Sequence, residues 1–257
     1  MKLGRRYVEK PWGRTQLPPI FDPPRDARIG EVWFTGGGDD LPLLAKYIFT
    51  SERLSVQVHP GDEQARAKGL PHGKSECWYI LDAEPGSAIG LGLKQEVDAE
   101  ALEGSAVDGS IEQLLHWKPV QAGDFIFVPA GTIHAIGGGL SLLEFQQNSD
   151  TTYRLYDYGR PRELHIDEAV AVARRAPFPA GLARHLSGSD ATLVDGAHFT
   201  LLQTRQDALR DRQRWVLPIE GRVHSGKDSA GPGECLLLSA SDALEADDAL
   251  MLVGAAA

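Results

Sequence analysis

Four side chains carry the chemistry for which this sequence is best equipped: Gln57, His59, Glu76 and His134. Two imidazole nitrogens, a carboxylate and an amide oxygen are donors that a zinc ion accepts, and a catalytic site of this kind keeps room for water or substrate beside the protein ligands. Singly, each has an ordinary explanation: a strand histidine is usually a packing or surface residue, and a strand glutamate usually faces water. Their setting separates them from that background. Leu54–His59 has strand composition and places Ser55, Gln57 and His59 on one face, the mark of a lined cavity. Glu76 opens the alternating segment Glu76–Leu81, and Lys74, two residues earlier, falls on its face, so an ammonium and a carboxylate share one mouth. His134 stands three residues beyond Gly131, after a strand that ends in the turn Pro129-Ala130-Gly131 and can aim the ring back toward the strands.

Those residues need a scaffold, and the chain reads as one made mainly of short strands. Strands are expected at Glu31–Phe34, Ala45–Thr50, Leu54–His59, Glu76–Leu81, Phe125–Val128, Leu140–Gln146 and Thr152–Tyr158, with turns at Pro129–Gly131 and Gly137–Gly139. Ahead of them, Met1 to Gly38 reads as loop apart from Glu31–Phe34, because Pro18-Pro19, Pro23-Pro24 and Gly36-Gly37-Gly38 break any regular period. Val97–Trp117 reads as a small helical insertion interrupted by Gly104 and Gly109. Asp167–Arg175 reads as a helix capped by Asp167 and stopped by Pro177 and Pro179. Strands resume at Phe199–Thr204, Trp215–Ile219, Glu234–Leu238 and Ala249–Val253. Gly231-Pro232-Gly233-Glu234 echoes Ala122-Gly123-Asp124, each ahead of an apolar strand, which predicts a repeated β-unit whose second copy has no counterpart of His134. The expected fold is mainly β, a jelly-roll barrel with a helical addition, divided into residues 1–180 and a degenerate β-unit over 181–257.

Composition narrows the partners. With 36 acidic against 26 basic residues the net charge is -10, which disfavours nucleic acid and anionic membrane but leaves room for a small anion held by local cations. Cys77 and Cys235 are too few for a disulfide framework, so a reducing, cytoplasmic setting is expected. The basic start Met1–Arg6 runs into Pro11, Pro18 and Pro19 rather than an apolar stretch, and no export signal is expected. No run reaches the roughly 18 apolar residues of a membrane span, and a monomer is favoured.

The Pro-x-Gly turn with its histidine resembles the second motif of cupins. The wider text is more specific: Leu54–Glu63, Gly73–Leu81, Pro129–Gly137 and Ser149–Tyr158, with Pro11-Trp12-Gly13 and Ile29-Gly30-Glu31-Val32-Trp33 ahead of them, resembles the type I mannose-6-phosphate isomerases over about residues 8–168. The C-terminal third resembles them only loosely. The resemblance implies a cupin-type barrel, one zinc ion per chain held by Gln57, His59, Glu76 and His134, an active-site arginine at Arg154, and substrate contacts at Ser55, Lys74 and Arg160. Gln57 occupies the place where many other cupins have a histidine, which is itself a mark of this family.

The implied reaction moves a proton between C2 and C1 of a sugar phosphate through an enediol, with negative charge building on the sugar oxygens. Arg154 and Lys74 suit the catalytic support of that charge, and Ser55, Lys74 and Arg160 suit the phosphate. His72, Lys74, Asp157, Glu144 and a metal-bound water all remain candidates for the proton transfer. His116, His165, His185, His198 and His224 have no partners at ligand spacing, and Cys77, Trp78 and Tyr79 read as packing. Two rivals stand beside the isomerase: another metal-dependent cupin enzyme, and a sugar-binding cupin without turnover.

Overall fold

The computed structural model describes residues 1–36 and 41–257, so Gly37 and Gly38 of the expected N-terminal turn lie outside the described residues. The first strands are β1 (Gly4–Arg14), β2 (Ile29–Thr35), β3 (Leu43–Phe49) and β4 (Val56–Val58), followed by α1 (Asp62–Ala67), β5 (Glu76–Ala83) and β6 (Ala88–Leu93). The helical insertion is α2 (Ala99–Asp108) and α3 (Ile111–Leu114), after which come β7 (Leu115–Pro119), β8 (Asp124–Val128), β9 (His134–Ile136), β10 (Leu140–Gln147), β11 (Tyr153–Tyr156) and α4 (Ile166–Val172). The C-terminal part holds β12 (Ala183–His185), β13 (Ala191–Asp195), β14 (Phe199–Thr204), β15 (Arg214–Pro218), β16 (Val223–Ser225), β17 (Asp228–Ala230), β18 (Leu236–Leu238) and β19 (Met251–Ala256).

These strands build three large antiparallel sheets. Seven strands run in the order β1-β2-β3-β10-β5-β8-β12, five in the order β11-β4-β9-β6-β7, and five more in the order β13-β14-β19-β15-β18. The first two face each other in the manner of a cupin β fold, sealed by a shared apolar core that includes Ile48, Trp78, Ile80, Ile89, Ile136 and Leu142. The insertion helices and α4 cover the outer face of the five-stranded sheet, where Val56, Val58, Leu102, Ile111 and Ala169 meet. The third sheet covers the outer face of the seven-stranded one, with Phe145 packed edge-on against Phe199 and Trp215. The seven-stranded sheet therefore has protein on both faces, which is why every residue of β3 and β10 is buried rather than every second one.

Several expectations are corrected. The N-terminal segment is not mostly loop: β1 is an eleven-residue edge strand that tolerates Pro11 because its register against β2 breaks between Glu9 and Arg14. The six residues of α1 carried too short a period to be read. Leu115–Trp117 is strand rather than helix, and α4 starts at Ile166 with no side-chain cap from Asp167. The two turns that looked alike are alike: Gly123 and Gly233 both have positive φ, and the acids that follow, Asp124 and Glu234, each accept the backbone N–H three residues earlier, from Gln121 and Gly231. β12, just after residue 181, pairs with β8 and extends the seven-stranded sheet. No helix among the described residues is long and apolar enough to cross a membrane.

Candidate metal centre and cavity

Three strands deliver the metal-type ligands. Gln57 at the centre of β4 pairs directly across from His134, the first residue of β9, and Glu76 opens β5 on the facing sheet. His59 follows β4 at a turn locked by the Gly131 N–H donating to the His59 carbonyl at 2.8 Å, and Gly131 takes the left-handed backbone (φ 84) that the turn requires. His59, Glu76 and His134 are each no more than 1% exposed, and their ligand atoms lie within 4.8 Å of one another.

Both rings are held in one tautomer. His59 Nδ1 lies 2.9 Å from the Thr151 carbonyl and His134 Nδ1 lies 2.9 Å from the Thr132 carbonyl; a carbonyl only accepts, so both Nδ1 atoms carry hydrogen and both Nε2 atoms present lone pairs. Those lone pairs point at Glu76: His59 Nε2 to Oε2 is 3.4 Å, and His134 Nε2 to Oε1 is 3.3 Å. Acceptors facing acceptors call for a cation between them. Tetrahedral zinc with bonds of about 2.1 Å sets neighbouring ligand atoms about 3.4 Å apart, which these separations match. The Gln57 amide faces His134 Nε2 at 3.1 Å, and its oxygen accepts from the Ser55 hydroxyl at 3.0 Å; exchanging the amide's two ends would turn that oxygen toward the cluster. The donor set and spacing therefore fit a divalent ion.

Lys74 supplies the positive charge that the protein itself brings. Its ammonium donates to His59 Nε2 at 2.9 Å and to Glu76 Oε2. Burial pushes the Glu76 carboxyl up, but the Lys74 ammonium outweighs it and holds it well below the usual carboxylate range. Burial, then the charge of Lys74, depresses His59 to about 3, and burial lowers His134 as well, so both rings are neutral, as ligands must be.

Beside this cluster lies a cavity of about 100 Å³ to which Gln57 and Lys74 contribute wall. Ser55 and Arg154 line it too, as do Lys10, Lys46 and Arg162, so five cations face one small space together with the carboxylates of Glu31, Glu144 and Asp150. Arg154 pairs across from Gln57 in the β11–β4 ladder; its Nε is buried with no hydrogen-bond partner, and among the described residues it has no ion pair. Arg160 is not part of the wall. Its guanidinium is held by Asp157 at 3.1 Å, by Glu52 at 3.0 Å and by the Arg53 carbonyl at 2.8 Å. Asp157 is itself fastened by Arg160 and Arg162, and among the proton-transfer candidates only Lys74 and Glu144 line the cavity.

Sequence reasoning passed over Glu31, Lys46, Lys10 and Arg162. Lys46 sits between two carboxylates, 3.4 Å from Glu31 and 3.0 Å from Glu144, and pairs directly across from Glu144 in the β10–β3 ladder. Burial raises the Glu31 carboxyl, but Lys46, Lys10 and the Trp33 N–H bring it down to about 2. The only sequence signal was a lone charge inside an otherwise apolar strand, at Glu31 in Ile29–Phe34 and at Lys46 in Leu43–Phe49.

Two facing antiparallel sheets that enclose a His–Glu–His cluster beside a cavity lined by charged side chains define a β-sandwich with a candidate metal centre. No family model matches the chain. Over 208 residues, 74% of the chain, it is 41% identical to the mannose-6-phosphate isomerase ManA of Bacillus subtilis (strain 168). Over 172 residues, 63% of the chain, it is 44% identical to the mannose-6-phosphate isomerase of Streptococcus mutans. The matches span 66% and 54% of those relatives' own lengths. The crystal structure of the mannose 6-phosphate isomerase from Bacillus subtilis superposes with a TM-score of 0.81 at 27% identity, covering 98% of each chain. The chain belongs to the mannose-6-phosphate isomerase family.

Proposed function

We propose that this protein is a zinc-dependent aldose–ketose isomerase that interconverts mannose 6-phosphate and fructose 6-phosphate by proton transfer through an enediol, in the cytoplasm. The observation that carries the reading is the His59–Glu76–His134 cluster opening, through Gln57 and Lys74, onto a polar cavity where Arg154 stands without an ion pair among the described residues. Gln57, His59, Glu76 and His134 would hold one zinc ion. Bound there, zinc supplies a Lewis acid for negative charge on the sugar oxygens.

The other roles belong to the chain. Arg154, with its unpaired Nε, offers charged donors to an oxygen that becomes negative as the proton leaves C2. Lys74 and Glu144, the cavity-lining candidates, are the groups within the wall that could carry a proton between C2 and C1. Ser55 and Lys74 suit the phosphate; Arg160 would first have to leave Asp157 and Glu52. The metal and the Lys74 contact use the same lone pairs, so an ion at the cluster would release the ammonium toward the cavity it already lines.

The test is to purify the chain, measure bound metal, and assay mannose 6-phosphate with and without chelator. One zinc per chain, with turnover that chelator abolishes and zinc restores, is the expected result. Zinc-loaded protein that fails to turn over mannose 6-phosphate would overturn the proposal.

A further inference from the structure

Lys74 and Glu76 enter the site on the short segment Gly73–Glu76, and this segment is fastened from three sides. Gly73 lies so near the preceding turn that a Cβ on it would stand 2.5 Å from the Gly61 carbonyl carbon. Its N–H donates to Asp62 Oδ1 at 2.8 Å, and the Lys74 N–H donates to the Pro60 carbonyl at 3.0 Å. Gln147, the last residue of β10, closes the arrangement. Its Oε1 accepts from the Ser75 N–H at 2.9 Å, and its Nε2 donates to the same Asp62 Oδ1 at 2.9 Å. The Ser75 hydroxyl oxygen accepts from the Ala130 N–H at 3.2 Å, which adds the turn ahead of His134.

One carboxylate oxygen, on the first residue of α1, is thus shared by the two bonds that set the Glu76 segment against the His59 segment. Asp62 itself neither lines the cavity nor belongs to the ligand cluster. Its other oxygen faces His198 Nδ1 at 3.6 Å, from the turn between β13 and β14, so the third sheet touches the same point.

We propose that Asp62 is a positioning residue for this centre: through Gly73 and Gln147 it sets the angle at which Lys74 and Glu76 reach His59 and His134. The inference rests on the reading of the cluster as a metal site, and not on the identity of the substrate. What the arrangement needs from Asp62 is an acceptor at Oδ1. Asparagine retains one, whereas alanine leaves the Gly73 N–H and the Gln147 amide without their shared partner.

Wild type, Asp62→Ala and Asp62→Asn should be compared for zinc affinity by competition with a chromophoric chelator, for kcat and KM with mannose 6-phosphate, and for thermal midpoint. Asp62→Ala should bind zinc about 10- to 100-fold more weakly and lose kcat, while Asp62→Asn stays within about threefold of wild type in both. A folded Asp62→Ala protein with wild-type zinc affinity overturns the inference, and so does an equal loss in both variants. Should Asp62→Ala fail to fold, Gln147→Glu takes its place: it keeps an acceptor for the Ser75 N–H but turns the donor toward Asp62 into a carboxylate. The same zinc loss is expected of it, and unchanged affinity overturns the inference. Wild-type protein that binds zinc without turning over mannose 6-phosphate strikes only the isomerase reading, because the affinities still decide the role of Asp62; wild-type protein that binds no zinc overturns both.

Discussion

His59 and His134 each use Nδ1 on a backbone carbonyl and present Nε2 to Glu76, so removing one ring should break the centre, while removing the Arg154 guanidinium, which lies outside the ligand set, should leave it intact. His134→Ala should abolish both metal content and turnover. Arg154→Ala should keep the metal and lower kcat, by about 10²- to 10³-fold if the guanidinium acts only on developing charge. Metal analysis beside steady-state kinetics separates the two, and metal loss in the Arg154 variant would contradict the role assigned to it. Glu31 gives a prediction in acid. Its carboxyl is held at about 2 against an ordinary 4.5, so the unfolded chain takes up a proton there before the folded one does. The stabilisation is complete above about 4.5 and is lost as pH falls toward 2, at up to about 1.4 kcal/mol per pH unit. Denaturant unfolding of the metal-free protein across pH 5 to 3.5 should show a shallower fall in Glu31→Gln than in wild type.

At the scale of elements, the Gly73 contact forbids a side chain, because the atoms a methyl would meet are backbone and cannot rotate away. Gly73→Ala should cost about 1–3 kcal/mol and lower the thermal midpoint, together with zinc content. How far the elements were legible follows from what surrounds them. Phe199–Thr204 was read with the bounds that β14 has, and Leu140–Gln146 within a residue of β10, because both are β-branched or leucine-rich runs bounded by glycine turns or short polar residues. β1 was hidden by the proline and glycine clusters that follow it, though its own Pro11 disturbs pairing only at a register break on an edge strand. The convergence of His59, Glu76 and His134 was legible because each sits in a recognisable local pattern. Glu31, Lys46 and Arg162 were not: only the pairing of β2 with β3 and β3 with β10 brings the first two to the cavity wall, and no short-range pattern encodes that neighbourhood. Asp62 drew no reading of its own in the sequence, because its bonds to Gly73 and Gln147 depend on two distant segments meeting there.

Across the whole molecule, the C-terminal sheet stiffens the wall from behind. Phe145 is 1% exposed and points away from the cavity into Phe199 and Trp215, while its neighbours Glu144 and Gln146 point the other way. Phe145→Ala should cost about 3–5 kcal/mol, measured by chemical denaturation. The protein carries a net charge of -10, and the five cations at the cavity stand among the carboxylates of Glu31, Glu144 and Asp150, with Arg154 the one of the five that has no ion pair among the described residues.

The burial of the seven-stranded sheet on both faces reaches further than packing. Amides of β3, β10 and β5 are shielded by a sheet on each side and by paired strands at each edge, so in deuterated solvent they should be the last to exchange. Glu76 and Glu144 ride on those strands, and local opening at the chain's periphery should come and go many times before these two carboxylates are disturbed.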